Sequence, residues 1–460
     1  MDLERLVAAL EPVEVLGRHS VEVSDLAYDA RAVDPGALFF AVPGERADGH
    51  DFAAEAVERG AVAVVVERRL DLAVPQVVVR DARGAMAPAA DVFFGQPTRE
   101  LEVVGVTGTS GKTTTSFLLF AILAAGGRRP GLLGTVEARV GGERRGVVRT
   151  TPEAIDLQRV FREMLDAGDR SCAMEASSHA SVLHRLDHVR FAALVFTNLS
   201  QDHLDFHGDM ESYFEAKRRL FLVEPRPIAV VNVGDEYGRR LAQELPEAIT
   251  FSAGDASALE GIDLRLRGRF NLENALGALY AARALGIAEE AIRRGLESVR
   301  GVPGRFESVD AGQPFDVIVD YAHKPDALEK VLRAARDLAG DKHVICVVGA
   351  GGDRDRGKRA VMGRIASKLA DVAIVTSDNP RSEDPEVIAA EIVSGADSEI
   401  ELELDREAAI GRAVALAQPG DVVLIAGKGA EQGQEFADRT VPFDDREAAK
   451  EALLALEART

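Results

Sequence analysis

The feature that most restricts how this chain can fold is a repeated join. A short apolar run stops abruptly in glycine and polar residues, and a helical pattern then begins. "LEVVGV" runs into "TGTSGKTTT", "CAME" into "ASSHA", "FAALVF" into "TNLSQDH", "FDVIV" into "DYAHK", "HVICVV" into "GAGGDRDR", "DVAIVT" into "SDNPR" and "DVVLIA" into "GKGAEQG". Unbroken apolar runs alternating with helices predict parallel sheets covered on both faces. In such sheets ligands bind beyond the carboxyl ends of the strands. The polar clusters therefore belong at those ends, where two sheets can face a shared cleft and bring substrates together.

Three blocks follow. The first runs from Met1 to about Pro97, with "GALFFAVPG", "AVAVVVE" and "PQVVVRD" as strands and "FFGQPTRE" as a linker. The second opens on "LEVVGVTG" and ends near Arg300; the third begins near "GVPGRFE" and runs to the C-terminus. A length of 460 residues suits three α/β domains, at 1–97, 98–300 and 301–460.

Charge narrows the partners. A net charge of −21 argues against nucleic acid or an anionic membrane surface, so any anionic ligand needs cations gathered locally. The N-terminal stretch carries acids early and lacks an apolar core segment, and no run is long enough to span a bilayer. Cys172 and Cys346 sit in apolar runs and are expected to be buried and reduced, which fits a cytoplasmic protein.

The glycine-rich loop in "VGVTGTSGKTTT" (Val104 to Thr115) carries the strongest chemical signal. The common phosphate-loop spelling, G-x-x-x-x-G-K-[ST], requires glycine where Val106 stands, and Gly105 comes one position early. Its setting between a strand and a helix N-terminus is nevertheless the one a polyphosphate site needs. Backbone amides from Gly108, Thr109, Ser110, Gly111 and Thr114 would face the phosphates. Lys112 would reach the terminal ones, and the Thr113 hydroxyl could ligate Mg²⁺.

The spelling Gly-Thr-Ser-Gly-Lys-Thr-Thr resembles the Mur ligase family, which includes folylpolyglutamate synthase. "TTPEAIDLQ", "MEASSHA", "FTNLSQDHLDFHG", "YFEAKRRLF", "GRFNLENALGA", "GVPGRFE", "DYAHKPDAL", "GAGGDRDRGKR" and "TSDNPR" follow in family order across all three blocks. The set is most similar to the tripeptide-synthetase branch, the MurE type. That resemblance implies a small N-terminal α/β domain for the UDP-sugar, a central ATP-binding parallel-sheet domain and a C-terminal Rossmann-like domain for the amino acid.

It also implies an activity. ATP would phosphorylate a carboxylate, and an amine would then displace phosphate to form an amide, with Mg²⁺ at the site. The carboxylate would belong to UDP-N-acetylmuramoyl-L-alanyl-D-glutamate and the amine to meso-diaminopimelate. By the same resemblance Glu175, His203 and a carbamylated Lys217 hold the metal. Asn271, Asn274, Arg305, Asp320 and His323 approach the ATP; N-terminal capping is an alternative role for Asn271. Thr150, Thr151, Ser177 and Arg185 would hold the acceptor, and "YDARAVDPGALFFAVPGERADGHDF" resembles the uridine-binding segment. Arg381 in Asp378-Asn379-Pro380-Arg381 would grip the second carboxylate of diaminopimelate, Arg354 the other, and Glu431 the distal ammonium, with Gly427 alongside. On residue type alone, Lys217 reads as a solvated helix position and Arg381 as a turn arginine.

Four features depart from the family pattern. Ala30 replaces a usual Ser, Leu183 a usual Gln and Ala430 a usual His, and the stretch from Ile249 to Gly268 is short, as if strands were trimmed. The first three touch substrate recognition. Other readings therefore stay open: a lysine- or ornithine-adding relative, a folylpolyglutamate-type or other Mur-like ligase, or a nucleotide-binding protein without catalysis. No membrane insertion and a monomer are expected.

Overall fold

The computed structural model describes residues 1–17, 20–44 and 47–457. Glu45 and Arg46, within the segment read as uridine-binding, and Ala458 to Thr460 lie outside them.

The apolar runs form strands and the polar clusters begin where those strands end. The central sheet has eight strands in the order Ile249–Phe251, Ile228–Asn232, Phe191–Phe196, Glu102–Thr107, Ser171–Glu175, Pro130–Leu133, Ala138–Val140 and Glu143–Arg145. The first six run parallel. Helix Lys112–Ala125 covers one face with Phe270–Ala284 and Glu289–Ser298. Its Leu118, Leu119, Ile122 and Leu123 pack with Val104 and Val106, all of them buried. On the other face Phe161, Met164, Phe196, Phe214 and Phe221 meet Val103, Cys172 and Met174. Side chains of both faces are apolar, which is why the strands read as unbroken hydrophobic runs rather than alternating ones.

The third block repeats this plan around Asp316–Asp320, Val422–Ala426, Val344–Val348 and Val372–Val375, all parallel. The first block has five strands on a smaller core. Cys172 and Cys346 are buried free thiols. Among the described residues no helix is long and apolar enough to cross a membrane.

The wholly parallel expectation needs correcting at the sheet margins. Glu14–Leu16, the pair Ala138–Val140 and Glu143–Arg145, and Glu307–Ser308 all pair antiparallel. The second is a hairpin turned by Gly141 and Gly142, both at positive φ, as a two-residue turn requires. "FFGQPTRE" connects the first two blocks closely: Phe93 closes helix Ala82–Phe93, and Pro97 and Thr98 are buried. The stretch after Ile249 forms one three-residue strand followed by the 3₁₀ turn Ala253–Leu259.

The blocks are joined by polar contacts and shared core. Helix Ala154–Asp166 puts Ala154 and Ile155 into the first block's core. Its Asp156 accepts from the Tyr28 hydroxyl at 2.5 Å, and Arg159 donates to Asp25 at 2.9 Å. From the third block, Arg305 donates to the Thr113 hydroxyl at 3.2 Å and Lys324 pairs with Asp202.

One interior ion pair braces the carboxyl ends of two strands in the third block. Arg406 and Asp445, whose side chains are both 0% exposed, meet in two 2.7 Å contacts. The same guanidinium donates to Ala426 O at 3.1 Å and Ser377 O at 3.5 Å, tying together two strand ends. Truncating one partner strands the other's charge in the core. Arg406→Ala is therefore expected to cost about 3–5 kcal/mol in urea unfolding, and Arg406→Met with Asp445→Leu to recover most of it. Equal losses in the single and double variants would show that the pair does not hold the fold.

Candidate functional site

The loop after Glu102–Thr107 is built around two glycines that no other residue could replace. Gly108 has φ +141°, and a Cβ there would lie 1.9 Å from Thr197 Oγ1. At Gly111, φ +88°, it would lie 2.3 Å from Asn274 Oδ1. Neighbouring strand ends then fasten the loop. The Thr197 hydroxyl donates to Ser110 O at 2.7 Å, Ser110 N–H donates to Asn198 Oδ1 at 3.0 Å, and the Thr109 and Tyr213 hydroxyls meet at 3.1 Å.

Two lysines converge on this loop. The Lys112 ammonium donates to Gly108 O at 3.0 Å and Thr109 O at 2.9 Å, and Lys217 donates to the same Gly108 carbonyl at 3.0 Å. Lys217 is buried, lying 4.5 Å from the centre of the Tyr213 ring. The solvated helix position read from residue type is thus corrected. Burial first, and Lys112 second, hold the Lys217 amine well below the usual lysine range. Burial brings Lys112 down to about 8, opposed by Glu175.

Glu175 ends its strand buried, accepting from Thr135 N–H at 2.7 Å and the Thr135 hydroxyl at 3.1 Å. That hydroxyl also meets Thr150 at 3.1 Å. Thr151 donates to Glu175 O at 3.0 Å and Ser177 Oγ at 3.2 Å. Arg185 donates to Thr151 O at 3.2 Å and pairs with Glu153 at 2.8 Å, while its buried Nε finds no partner among the described residues. A cavity of 180 Å³ opens beside Thr150, lined in part by Gly134, Arg149 and Asp156. Leu183 caps the short helix Ser178–Val182. Ala30 is buried in the turn Ala30–Ala32 of the first block, where neighbouring Asp29 pairs with Arg31.

His203 caps the turn Leu204–His207 at positive φ, 2.9 Å from Asp202. Among the described residues no group of three or more His, Cys, Asp or Glu is gathered to hold a metal. The oxygen donors Thr113 and Glu175 nevertheless suit a hard cation.

Asn274 donates to Asn271 Oδ1 at 2.9 Å, so the two share a helix face. Capping by Asn271 is ruled out: Arg269 is the N-cap, and Asn271 donates to Arg267 O at 2.7 Å. Arg305 stacks 4.5 Å over Tyr321. Asp320 is buried, with Phe306 N–H donating to it at 2.7 Å, and burial raises it to about 6 against the pull of Arg305. The His323 ring lies 2.8 Å from Tyr321 O, and burial holds it well below its usual range.

Further along the third block, Asp378, Asn379 and Pro380 are buried. Lys428 donates to Asn379 Oδ1 at 2.7 Å, and Asn379 donates to Glu431 at 2.9 Å. Gly427 has φ +126°, where a Cβ would meet Asp378 at 2.5 Å. Arg381 is engaged by Glu435 at 2.7 Å, whereas Arg354 is exposed.

Three family models match the chain: "Mur ligase family, catalytic domain" at residues 22–93, "Mur ligase middle domain" at 106–282 and "Mur ligase, glutamate ligase domain" at 304–429. It is 46% identical to a UDP-N-acetylmuramoyl-L-alanyl-D-glutamate--2,6-diaminopimelate ligase of Solibacter usitatus, over 94% of each chain. It is 43% identical to one from Geobacter metallireducens, over 100% of this chain and 99% of that one. A solved structure of a ligase with this name is 30% identical, covers 99% of both chains and superposes with a TM-score of 0.68.

The chain belongs to the Mur ligase family, and it is a ligase. MurF from Acinetobacter baumannii, 21% identical with a TM-score of 0.65, shares the fold.

Several groups that sequence reasoning does not single out are prominent in this Mur ligase. Thr197 and Asn198 fasten the loop, Thr135 holds Glu175, and Lys324 reaches Asp202. Each lies within a few residues of a strand end, the same signal that marks the others.

Asp320 gives a test by pH. An acid raised on folding binds its proton more tightly in the native state, so its contribution is full below about pH 4 and is lost as pH rises through about 6. The rise from 3.8 to about 6 is worth about 3 kcal/mol at about 1.4 kcal/mol per unit. Urea unfolding should show Asp320→Asn gaining on the parent by an amount of that order between pH 4 and 8. Parallel stability curves would sink this account of Asp320.

Proposed function

We propose that the chain uses ATP to join meso-diaminopimelate to the D-glutamyl carboxylate of UDP-N-acetylmuramoyl-L-alanyl-D-glutamate, as a cytoplasmic monomer. The observation that carries it is the gathering of Lys112, Arg305 and Lys324 around one glycine-rich loop in a chain of net charge −21. So many cations in one place call for a polyphosphate. Likeness to the diaminopimelate ligases, at 43–46% identity over nearly the whole chain, supports the choice of substrates.

In this reading residues 1–97 take the nucleotide sugar, 98–300 the ATP and 301–460 the amine. The amides of Gly108 to Thr114 and the Lys112 ammonium hold the β- and γ-phosphates. Asn271, Asn274, Asp320 and His323 border the nucleotide, and Arg305 carries charge from the third block to the γ-phosphate. Thr150, Thr151, Ser177 and Arg185 orient the acceptor carboxylate for attack on the γ-phosphorus, releasing ADP. The amine then attacks the acyl carbon and phosphate leaves. Asp378, Asn379, Gly427 and Glu431 line the amine's path, with Arg381 and Arg354 on its carboxylates. Thr113, Glu175 and His203 would hold magnesium, which when bound neutralises charge on the transferring phosphoryl group.

Lys217 has the properties a carbamate needs, a buried amine held well below the usual lysine range by burial and by neighbouring Lys112. A carbamate there would supply a further oxygen ligand. Incubation with ¹³C-bicarbonate is expected to give a carbamate carbon signal that Lys217→Arg lacks. The same signal in both proteins would place the modification elsewhere or nowhere.

Phosphate release is the direct test, with ATP, Mg²⁺, the UDP-muramoyl dipeptide and an amine panel of meso-diaminopimelate, lysine, ornithine and none. Release should depend on diaminopimelate. Arg381→Ala should raise its KM about tenfold or more, and Lys112→Ala should cut turnover by at least about 100-fold. Release that depends on lysine or ornithine instead would keep the ligase and refute the amine. Tight ATP binding with no release would point to a different acceptor.

A further inference from the structure

Arg381 does not stand open to an incoming carboxylate. The small hairpin of Gly433–Glu435 and Thr440–Pro442 lies against its turn, and one residue of that hairpin engages it twice. Arg381 N–H donates to Glu435 O at 3.0 Å, and Arg381 Nε donates to Glu435 Oε2 at 2.7 Å. Glu435 N–H donates in turn to Asn379 Oδ1 at 3.0 Å. Arg381 Nη1 donates to Gly352 O at 2.9 Å, so two of the three nitrogens of the fork are already taken. The pair is asymmetric: Arg381 is 26% exposed and Glu435 50%. Glu435 is the more exposed partner, so its carboxylate can leave toward water without disturbing the backbone bonds.

We propose that Glu435 is a resident carboxylate that occupies the arginine fork until an amine carrying its own second carboxylate displaces it. The inference rests on the reading of Arg381 as the clamp for that second carboxylate. It makes Glu435 a positioning and selectivity residue acting through Arg381. A diamino dicarboxylic acid binds by exchange, its carboxylate replacing that of Glu435, which swings into water. A diamino monocarboxylic acid such as lysine has nothing to exchange, and with Glu435 in place it meets a neutralised arginine. Glu435 thus weakens binding of the first class and protects binding of the second. The site discriminates between them less sharply than a bare arginine would.

The test is Glu435→Gln, which keeps the backbone bonds and the shape but removes the charge. A half-exposed ion pair is worth at most about 1 kcal/mol, or about fivefold. The KM for meso-diaminopimelate should therefore fall about two- to fivefold while that for lysine rises. A merely structural role would move both constants the same way. Shifts in the same direction, or no shift for either amine, would overturn the proposal. Titrating both amines by calorimetry, with a non-hydrolysable ATP analogue bound, reads the same pair of ratios even without turnover. If no amine supports phosphate release yet Glu435→Gln still moves the two affinities in opposite directions, the proposed reaction fails and this inference stands. Turnover with diaminopimelate but unmoved constants would leave the reaction standing and overturn the role of Glu435. If neither amine binds either protein, both fail.

Discussion

Two lysines, Lys217 buried and Lys112 half-buried, share one carbonyl oxygen, and most of the central site follows from that. With both ammonium groups 3.0 Å from Gly108 O, they lie within about 6 Å of each other. At an effective dielectric near 20, two full charges at that distance repel by about 3 kcal/mol. The loop is therefore electrostatically unsatisfied and can relax in two ways: Lys217 loses its proton, or an anion arrives. The arrangement also explains the glycine at 108. The backbone there runs at φ +141°, which an L side chain resists, and the space beside it is filled by Thr197. Three different strand ends, those carrying Thr107, Phe196 and Glu175, supply the surroundings.

The third block obeys the opposite rule, with its buried charges already paired. Arg406 with Asp445 fixes two strand ends from inside the core. Arg359, also buried, bonds Glu383 at 2.8 Å and Glu391 at 2.6 Å, and Glu383 in turn accepts from Asp353 N–H at 2.7 Å. These pairs contribute shape more than net stability, since desolvation offsets most of their attraction. What they frame is a pair of loops, Gly351 to Arg354 and Asp378 to Arg381, held at a fixed separation. Arg354 and Glu435 are among the groups here that retain the exposure needed to exchange partners.

Local pattern carries the strand-to-loop-to-helix joins, so the positions of Lys112, Glu175 and Asp320 at strand ends are legible in the sequence. Apolar runs of four to six residues followed by glycine have few other ways to fold. The contacts that decide protonation and charge are not legible, because they link distant parts of the chain. Glu435 reaches Arg381 across 54 positions, Lys324 reaches Asp202 across 122, and Thr135 holds Glu175 across 40. Lys217 shows the limit best. Its helix, Met210–Arg218, looks amphipathic and surface-bound, with Arg218 paired to Glu244, yet one turn earlier its face is closed by Tyr213 and the loop. No periodicity distinguishes a lysine that points into solvent from one that points at a buried carbonyl. The antiparallel sheet margins escape the pattern for a related reason, since an edge strand needs only one neighbour and tolerates either direction.

The acidity of the whole chain and the basicity of its site are compatible because they act over different distances. At physiological ionic strength the field of a surface carboxylate fades over about 8 Å, whereas charges inside the cleft interact through little water. A polyphosphate approaching the molecule is opposed only weakly by its net charge and attracted strongly once Arg305 and Lys324 come within reach. Those two residues belong to the third block and already touch Thr113 and Asp202 of the second. An anion held between Arg305 and the loop would therefore strengthen the bridge between the two blocks.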